Sequence, residues 1–326
     1  MLILNEKEIK QLYTMSDAMQ DISSMLASKG EGTINNPHRT VLNFPEREAS
    51  ALYMPSADLV SELSAVKIVT IFPDNPSQGK STTQGVMVVS NGTDGEHLAL
   101  MNASYLTRLR TGALSGIATK FLAKENSKVL TVIGTGAMAF EQVLAVMEVR
   151  PIDKILLVNR TPEKAQKFGE KLASEGINVP FEVILDTTLA VREADIICCA
   201  TRSDEPVFLG EDVQPGTHVN GVGSYMPHMR EVDEYFVTRA NKIVVDDLEG
   251  VKKEAGELIH AHNNKSWSFE NVFSQLEDLT KTKKGRNNDD DITFFKSVGA
   301  AYFDLAVAKG VYKKAKEMGA GIEVDV

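Results

Sequence analysis

Hydrophobic and polar residues follow two different patterns along this 326-residue chain, and the change falls near residue 105. Before it, short alternating runs predict a strand at residues 2–4, a helix over 6–29 with a restart at Ser16 and Asp17, and five more strands. These strands are expected near residues 39–43, 51–55, 63–72, 83–90 and 97–102. Asn91-Gly92 and Asp94-Gly95 indicate a tight hairpin between the last two, because both dipeptides tolerate positive φ. The first part is therefore predicted to be an antiparallel α+β unit.

Beyond residue 105 the pattern changes to apolar strands separated by helices. A helix is predicted over 107–123, with later helices starting at Ala137, at Pro162 and near Thr188. The strands are expected at 129–133, 155–158, 181–184, 194–200, 218–222 and 242–246. Nearly continuous apolar strands of this kind are typical of a parallel sheet covered on both faces. A last helix over 294–311 should pack on the first unit. The fold class is therefore α/β with two domains, one formed by 116–299 and the other by 1–115 with 300–326.

A glycine-rich turn follows the first strand of the parallel sheet and opens a helix. It reads G-x-G-x-x-A and consists of Gly134, Thr135, Gly136, Ala137, Met138 and Ala139. Gly134 allows the tight turn, Gly136 lets the backbone approach a diphosphate, and Ala139 keeps the helix close to the strand. The helix N-terminus adds unpaired N–H groups and a partial positive charge. Together with the following strand–helix units, the motif predicts a Rossmann domain that binds a nicotinamide dinucleotide.

The end of the second strand of such a domain indicates which dinucleotide is bound. NAD sites usually carry Asp or Glu there, about 20 residues after the glycines, to bind the ribose 2′-hydroxyl. This chain instead has Asn159, Arg160 and Thr161. Arg160 is suited to pair with a 2′-phosphate, and Asn159 and Thr161 are suited to donate to it. NADPH is therefore preferred and NADH possible, although a solvated Arg160 would give no such preference.

Composition and charge restrict the class of protein. The hydrophobic fraction of 43% and the charged fraction of 25% are ordinary for a globular protein, and no apolar run approaches the ~20 residues of a membrane helix. The net charge of −10 argues against a nucleic-acid partner but not against a small anionic substrate. The histidines and the adjacent Cys198 and Cys199 lack metal-ligand spacing, so no metal is expected and both cysteines are interpreted as small buried residues. A cytoplasmic location is expected.

The most polar stretch of the chain covers residues 281–291, KTKKGRNNDDD. Such a run of charged and amide side chains predicts a solvated loop. Its change from basic to acidic residues also allows a lid.

Three cations precede the dinucleotide-binding domain: Arg39, Lys67 and Arg110. Lys67 interrupts an apolar strand, which is unfavourable unless its charge is paired or faces a wet cleft. Arg110 is expected to open the helix that leads to the parallel sheet. Taken singly, each is interpreted as a structural ion-pair partner. Taken together, they also suit a carboxylate clamp, because arginine offers bidentate contacts.

Around these residues the sequence resembles the ornithine cyclodeaminase/mu-crystallin family. The matching segments run from the start of the chain nearly to its end, in the same order and spacing. They are residues 54–55, 82–85, 109–113, 220–227 and 292–299, together with Arg39, Lys67, the Gly134 turn and Glu231. The resemblance implies a homodimer, with 1–115 and 300–326 forming the substrate-binding and dimerisation domain.

The resemblance also implies roles for individual residues. Arg39, Lys67 and Arg110 would hold the substrate carboxylate, and Thr82 would line the same pocket and contact the cofactor. Lys67 and Arg110 are the expected catalytic residues, and Lys67 would assist proton transfer if burial lowers its pKa. Ser297 and Gly299 would approach the nicotinamide and the substrate. Further cofactor contacts are expected from loops that follow two later strands, at Thr201, Val222, Gly223 and Ser224.

One departure from the family bears on the activity. Ornithine cyclodeaminases carry an acidic residue in the loop that corresponds to 223–227 and a lysine shortly after, whereas this chain has Ser224, Tyr225 and then Met229. Without that acid, the expected activity is the NAD(P)H-dependent reduction of a cyclic imino acid. Δ1-Pyrroline-2-carboxylate would give L-proline, and the six-membered Δ1-piperideine-2-carboxylate would give L-pipecolate. Ornithine cyclodeaminase, an alanine-type dehydrogenase and a non-enzymatic, crystallin-like NADPH-binding protein stay open as alternatives.

Overall fold

The computed structural model describes residues 1–325, and its backbone contacts divide the chain into two compact units. The first unit consists of Met1–Arg110 and the C-terminal residues from Ala300 onward, and the second of Thr111–Gly299. None of the helices within residues 1–325 combines the length and the hydropathy needed to cross a bilayer.

The first unit is built on an eight-stranded sheet. Its strand order is β16-β1-β7-β6-β5-β4-β2, β3 also pairs with β4, and every pair is antiparallel except β1 with β7. The antiparallel α+β prediction is thereby confirmed. The elements are β1 (Leu2–Leu4), α1 (Glu6–Leu12), α2 (Met15–Gly30), β2 (Ile34–Asn35), β3 (Thr40–Phe44), β4 (Ala49–Asp58), β5 (Leu63–Ile71), β6 (Thr83–Asn91), β7 (His97–Asn102), the start of α3 (Ala103–Leu122), α11 (Ala301–Met318) and β16 (Ile322–Glu323).

The helix predicted over 6–29 is two helices, so a restart is confirmed, but it is capped by Thr14 and begins at Met15, one residue before the expected Ser16. The Asn5 side chain accepts from the Glu8 N–H at 3.1 Å, and the Glu8 carboxylate accepts from the Asn5 N–H at 2.8 Å. Thr14 and Asp17 form the same reciprocal pair at the start of α2, at 3.2 and 2.9 Å. These capping boxes satisfy N–H groups that a helix start leaves unpaired.

The two faces of strands β4 to β7 differ in exposure. Alternate strand residues point to opposite faces, and on one face Leu52, Met54 and Ala301 of α11 share a buried apolar cluster. The opposite face is also largely apolar, yet its residues are only partly buried and Val86 is 43% exposed. Its members on β4, β5, β6 and β7 include Pro55, Val66, Ile68, Val86, Val88, Leu98 and Leu100.

The second unit is an eight-stranded sheet in which every pair is parallel, as predicted. Its strand order is β10-β9-β8-β11-β12-β15-β13-β14. After β8 the chain first adds β9 and β10 on one side of it, and then adds β11 and the later strands on the other side. The strand order therefore reverses at β8. The elements are the end of α3, β8 (Val129–Ile133), α4 (Ala139–Val149), β9 (Lys154–Val158), α5 (Pro162–Ser174), β10 (Phe181–Val183), α6 (Thr187–Arg192), β11 (Ile196–Cys199), β12 (His218–Gly221), α7 (Glu234–Arg239), β13 (Lys242–Val245), α8 (Leu248–Glu254), α9 (Gly256–Asn263), β14 (Ser274–Gln275), α10 (Leu276–Thr282) and β15 (Thr293–Lys296).

Two apolar cores cover the two faces of this parallel sheet. Cys198 lies in the core that contains Leu130 and Val132, whereas Cys199 lies in the core that contains Ile133 and Val219. Neighbouring residues of a strand point to opposite faces. The interpretation of both cysteines as small buried residues is confirmed.

Two expectations about helix boundaries are wrong. Residues 294–296, taken as the start of the last helix, belong to the buried strand β15 (Thr293–Lys296) between β12 and β13, and α11 begins only at Ala301. The apolar run continues from strand to helix, so hydrophobicity does not mark the boundary. Helix α3 begins at Ala103, so Arg110 lies inside it rather than at its start.

The segment 281–291 is exposed at residues 281–284 and 287–290, as predicted, but it is attached to the second unit between and after these stretches. Arg286 is partly buried and donates to Leu122 O at 3.1 Å and to Gly216 O at 2.8 Å. Lys242 donates to Gly285 O, and Asp291 accepts from the Asn287 N–H at 2.7 Å. The segment leads into β15 and so lies at the amino ends of the parallel strands. The glycine-rich turn follows the carboxyl end of β8, at the opposite edge of the sheet. A lid function of the segment stays a prediction.

Candidate functional site

The turn after β8 has the conformation that its first glycine predicts. Gly134 has a φ of +89°, and a Cβ there would lie 2.6 Å from Thr201 Cγ2 and 2.9 Å from Ala200 O. The Gly134 N–H donates to Val158 O at 2.9 Å. A side chain at position 134 would therefore separate the turn from the neighbouring strands β9 and β11.

The rest of the turn fits the diphosphate of a dinucleotide. The space over Gly136 is open, with no heavy atom within 4 Å of an added Cβ. The Thr135 hydroxyl oxygen is buried without a hydrogen-bond partner. Helix α4 begins at Ala139, two residues later than expected, so Ala137 and Met138 also belong to the turn. Its N-terminus directs N–H groups and a partial positive charge toward an anion placed here. Gly134 to Met138 would hold the diphosphate.

The three residues after β9 have different surroundings. Asn159 Oδ1 accepts from the Thr135 N–H at 3.4 Å, and Asn159 Nδ2 donates to Thr161 O at 2.9 Å. Asn159 thus stabilises the glycine-rich turn, and both the oxygen and the nitrogen of its side-chain amide form hydrogen bonds within the protein. Arg160 is exposed beside it, and Thr161 caps α5 without a side-chain hydrogen bond. Of the three, Arg160 is the exposed cation at the place where a ribose 2′ substituent is read.

A buried carboxylate, Glu231, joins the loops that follow β11 and β12. Its Oε1 accepts from the Thr201 N–H at 2.6 Å and from the Thr201 hydroxyl at 2.9 Å. Its Oε2 accepts from the Gly223 N–H at 2.7 Å and the Ser224 N–H at 3.2 Å. Burial raises the pKa of Glu231 although these donors oppose the shift. Three of the predicted cofactor residues, Thr201, Gly223 and Ser224, are therefore brought together.

The same loop is tied to β15 by a buried ion pair. Lys296 Nζ donates to Ser224 O at 2.6 Å and to Ser224 Oγ at 2.5 Å, and lies 3.0 Å from Glu257 Oε1. Ser224 Oγ lies 3.0 Å from both Glu257 oxygens. All three side chains are fully buried. Ser224 is thus fixed by Lys296 and Glu257, and its hydroxyl group is hydrogen-bonded to both side chains.

Asp246, at the end of β13, organises the turn that follows β15. Its Oδ2 accepts from the Ser297 hydroxyl at 2.7 Å and from the N–H groups of Val298 and Gly299 at 3.1 and 2.8 Å. Gly299 has a φ of +83°, a conformation that favours glycine. Burial raises the pKa of Asp246, and its hydrogen bonds oppose the shift. Ser297 and Gly299 therefore lie at the carboxyl edge of the sheet, as do the loops that Glu231 joins.

The loop at 223–229 has no carboxylate of its own, and the nearby acids do not substitute for one. Glu231 and Glu257 are buried beneath it, where backbone N–H groups and Lys296 use their oxygens. Met229, where cyclodeaminases carry a lysine, is 5% exposed. The structure therefore offers no acid in this loop for a substrate ammonium group.

The first unit brings Lys67 and Arg110 together around one carboxylate. Lys67 Nζ lies 2.7 Å from Asp304 Oδ2, and Arg110 Nε lies 3.3 Å from Asp304 Oδ1. Lys67 also donates to the Thr107 hydroxyl at 3.4 Å. All three charged side chains are buried. Burial lowers the pKa of Lys67 to about 8, with repulsion from Arg110 acting in the same direction and Asp304 opposing it.

Arg39 lies near this group, but Thr82 does not. Arg39 directly precedes β3, whose Thr40 pairs with Tyr53, next to the position where Met54 pairs with Lys67. Its charge also lowers the pKa of Lys67. Thr82 lies at the far end of the β5–β6 ladder, where its carbonyl accepts from the Phe72 N–H at 2.8 Å. Phe72 is five residues beyond Lys67, which corresponds to roughly 17 Å of strand.

Sequence reasoning missed Asp304, Lys296 and Glu257. Asp304 and Lys296 each stand alone in apolar runs, AYFDLAV and TFFKSV, which is the same signal that identified Lys67. Glu257 has no such signal. Among residues 1–325, no three His, Cys, Asp or Glu side chains are arranged to hold a metal ion.

The whole chain is similar to proteins that are already known. A Δ1-pyrroline-2-carboxylate reductase from Bacillus cereus is 40% identical over 326 residues, which covers 100% of both chains. The structure of Thermococcus litoralis Δ1-pyrroline-2-carboxylate reductase in complex with NADH and L-proline matches with a TM-score of 0.95 at 35% identity, over 99% of this chain and 100% of that one. An archaeal alanine dehydrogenase dimer with bound NAD matches with a TM-score of 0.91 at 33% identity, over 99% and 98%.

The family assignment agrees with these likenesses. The model of the ornithine cyclodeaminase/mu-crystallin family matches residues 1–319. That range includes the glycine-rich turn, the Lys67 and Arg110 segments and Asp304. The chain belongs to the ornithine cyclodeaminase/mu-crystallin family.

Proposed function

We propose that this protein is an NAD(P)H-dependent reductase of cyclic imino acids that converts Δ1-pyrroline-2-carboxylate to L-proline. The observation that carries the proposal is the buried pair of cations, Lys67 and Arg110, in a chain whose relative of TM-score 0.95 holds NADH and L-proline. The same reasoning extends to Δ1-piperideine-2-carboxylate, which carries the same imine and carboxylate in a ring one carbon larger.

Lys67 and Arg110 bind the substrate carboxylate in this proposal, and Arg39 adds a third positive charge. A guanidinium and an ammonium in a buried setting attract a carboxylate more strongly than they would in water. Holding the ring at its carboxylate also orients the adjacent C=N bond, and orientation of aligned reactants is worth up to about 7–11 kcal/mol of the barrier.

Lys67 also supplies the proton that the reaction needs. When bound, the reduced nicotinamide supplies the hydride for the imine carbon. The ring nitrogen gains one proton, and Lys67 is suited to give it because burial lowers its pKa to about 8. The products are a secondary amine on the substrate and a neutral lysine, which solvent reprotonates.

NADPH is the proposed preferred cofactor, and NADH the alternative. Arg160 is exposed where a 2′-phosphate would lie, and the segment 158–161 contains no carboxylate to repel it. The related structures hold NADH or NAD. The preference for NADPH over NADH is therefore to be measured on this protein. The expected cytoplasmic location also stays a prediction.

A homodimer is the proposed assembly. Within the chain, the sheet face with Val66, Ile68, Val86 and Val88 is apolar and only partly buried. Exposed apolar patches of this kind usually mark an interface. A second copy is the proposed occupant, because the related alanine dehydrogenase is a dimer.

The first experiment is a spectrophotometric assay at about 340 nm, the absorbance band of reduced nicotinamides. NADPH and NADH are each supplied with Δ1-pyrroline-2-carboxylate, and ammonia is measured in parallel with L-ornithine. Alanine-type activity is checked with L-alanine and NAD, because one related structure is an alanine dehydrogenase. Loss of NADPH absorbance without ammonia is the expected result.

Other outcomes identify the alternatives. Ammonia from ornithine without net cofactor change would mean a cyclodeaminase, and NAD reduction with alanine would mean an amino-acid dehydrogenase. Tight NADPH binding without turnover of either imino acid would mean a binding protein.

A further inference from the structure

Asp304 is a buried acid whose partners the sequence does not indicate. It lies in the first turn of α11, among Ala301, Phe303 and Leu305, and it is fully buried. A lone carboxylate in apolar surroundings is unfavourable unless it has partners. The helix N-terminus favours its negative charge, but its specific partners are two cations from other elements.

Each oxygen of Asp304 contacts a different cation. Oδ2 lies 2.7 Å from Lys67 Nζ, which belongs to β5, and Oδ1 lies 3.3 Å from Arg110 Nε, which belongs to α3. One carboxylate therefore sets the position of two cations that come from separate elements. Its contact with Arg110 uses Nε, so this ion pair does not occupy the two Nη atoms that form the fork for a bidentate carboxylate.

Besides Asp304, the charged groups among residues 1–325 that shift the pKa of Lys67 are the cations Arg110 and Arg39. Near the Lys67 ammonium group lie Asp304 of α11, Arg110 and Thr107 of α3, and Arg39 ahead of β3. Its neighbours on the adjacent strands β4 and β6 are the uncharged Met54 and Met87. Arg110 and Arg39 repel the protonated lysine, and burial disfavours it further. Asp304 is the group that opposes both effects.

We propose that Asp304 is a positioning residue for the imino-acid reaction, which keeps Lys67 protonated and directs the Nη edge of Arg110 toward the substrate carboxylate. The inference rests on the proposed reductase function and assigns Asp304 no direct contact with substrate or cofactor. It predicts that loss of the charge changes both the alkaline limit of the activity and KM, whereas a change in side-chain length alters KM alone.

The charge is tested with Asp304→Asn, which keeps the shape of the side chain. We expect kcat/KM for Δ1-pyrroline-2-carboxylate to fall about 100-fold, with most of the loss in KM. The pH above which activity declines should move down by about one unit, because neutral Lys67 becomes easier to form. NADPH affinity, measured by the fluorescence of the bound cofactor, should change less than about 2-fold, since the glycine-rich turn belongs to the other unit.

The length is tested with Asp304→Glu, which keeps the charge. We expect the alkaline limit of the wild type to be retained while KM rises about 5-fold, because the longer side chain displaces the two cations. If the Asp304→Asn protein does not fold, Asp304→Glu still tests the proposal. A KM in Asp304→Glu equal to that of the wild type would overturn the positioning role.

Asp58→Asn is the matched control. Asp58 is also a buried carboxylate paired with a cation of another element, with Lys309 Nζ of α11 at 3.1 Å. Its substitution should leave the pH profile and KM unchanged. A folded Asp304→Asn protein with the wild-type pH profile and KM would refute the inference alone. Absence of turnover in the wild type with either imino acid would instead refute the proposed function.

Discussion

Lys67, Arg110 and Asp304 form one of several buried groups in which every charged residue has a partner. Lys296 is paired with Glu257, and the Asp246 carboxylate accepts from three groups of the 297–299 turn. Removing one member of a buried pair leaves an uncompensated charge and is typically destabilising by about 3–5 kcal/mol. Tests of single residues in these groups therefore need a binding measurement besides activity, to separate loss of function from loss of folding.

Arg110 is the residue whose role in the carboxylate clamp is tested most directly. Arg110→Ala should raise the KM for Δ1-pyrroline-2-carboxylate about 100-fold, because a buried charge-assisted contact of about 2–3 kcal/mol is lost. NADPH binding, followed by fluorescence titration, should stay close to the wild-type value.

The matched control is Arg108→Ala, two residues earlier on α3. Arg108 pairs with the half-exposed Glu6 at 2.7 Å, so KM should be unaffected. Weakened NADPH binding in Arg110→Ala with an unchanged KM would rule out the clamp assignment.

Arg160 provides a second residue-scale prediction, concerning the cofactor. Its guanidinium follows β9 and is exposed, so substitution should not affect folding. Arg160→Ala should lower the NADPH-over-NADH ratio of kcat/KM about 10-fold, mostly through weaker NADPH binding. The ratio is measured with both cofactors at a fixed imino-acid concentration. Lys167→Ala, an exposed cation on α5, is the control, and an equal effect from both substitutions would argue against a specific phosphate contact.

At the scale of elements, the C-terminal end of α3 is capped by a single buried guanidinium. Arg150 Nη2 donates to the carbonyl groups of Thr119, Lys120 and Ala123 at 3.0, 2.9 and 2.8 Å. Its Nε donates to Lys124 O at 2.7 Å. The last carbonyl groups of a helix have no partner within the helix, and a cation there also interacts favourably with the helix dipole.

Arg150→Ala should therefore lower the free energy of unfolding by about 2–4 kcal/mol, since several buried carbonyl groups lose their donor. Urea unfolding followed by circular dichroism measures the loss. Arg150→Lys should recover a part of it, because one ammonium reaches fewer carbonyls than the planar guanidinium. Lys252→Ala, which removes an exposed pair with Glu249, should stay within about 0.5 kcal/mol of the wild type. A similar loss in both proteins would contradict the capping role.

At the scale of the whole molecule, the partly buried apolar face of the first unit determines the proposed assembly. Val86→Asp places a charge at its 43% exposed position. We expect a monomer of 35.7 kDa in sedimentation or light scattering, where the wild type has twice that mass. Leu185→Asp, at a position that is 77% exposed in the second unit, should leave the mass unchanged. A monomeric wild type would contradict the homodimer.

Much of the fold follows from local patterns in the sequence. The strand boundaries of β1, β7 and β8 and the two-helix start agree with the structure because side-chain periodicity and capping are properties of neighbouring residues. The end of the chain was predicted less well. Residues 294–296 were predicted to be helical, because a short segment directly before a helical run does not show which parallel strands pair with it.

The sequence by itself determined the dinucleotide-binding turn, because only glycine tolerates the positive φ and the close neighbours of position 134. It also singled out Lys67 as a charge that needed a partner. Which partner it has was decided only by the tertiary structure. Asp304 lies 237 residues away along the chain and reaches Lys67 through the packing of α11 on β4 and β5. Glu231 likewise meets Thr201 only where parallel strands end together. Local sterics can be derived from a few adjacent residues, whereas the compensation of a buried charge depends on which distant elements the fold brings into contact.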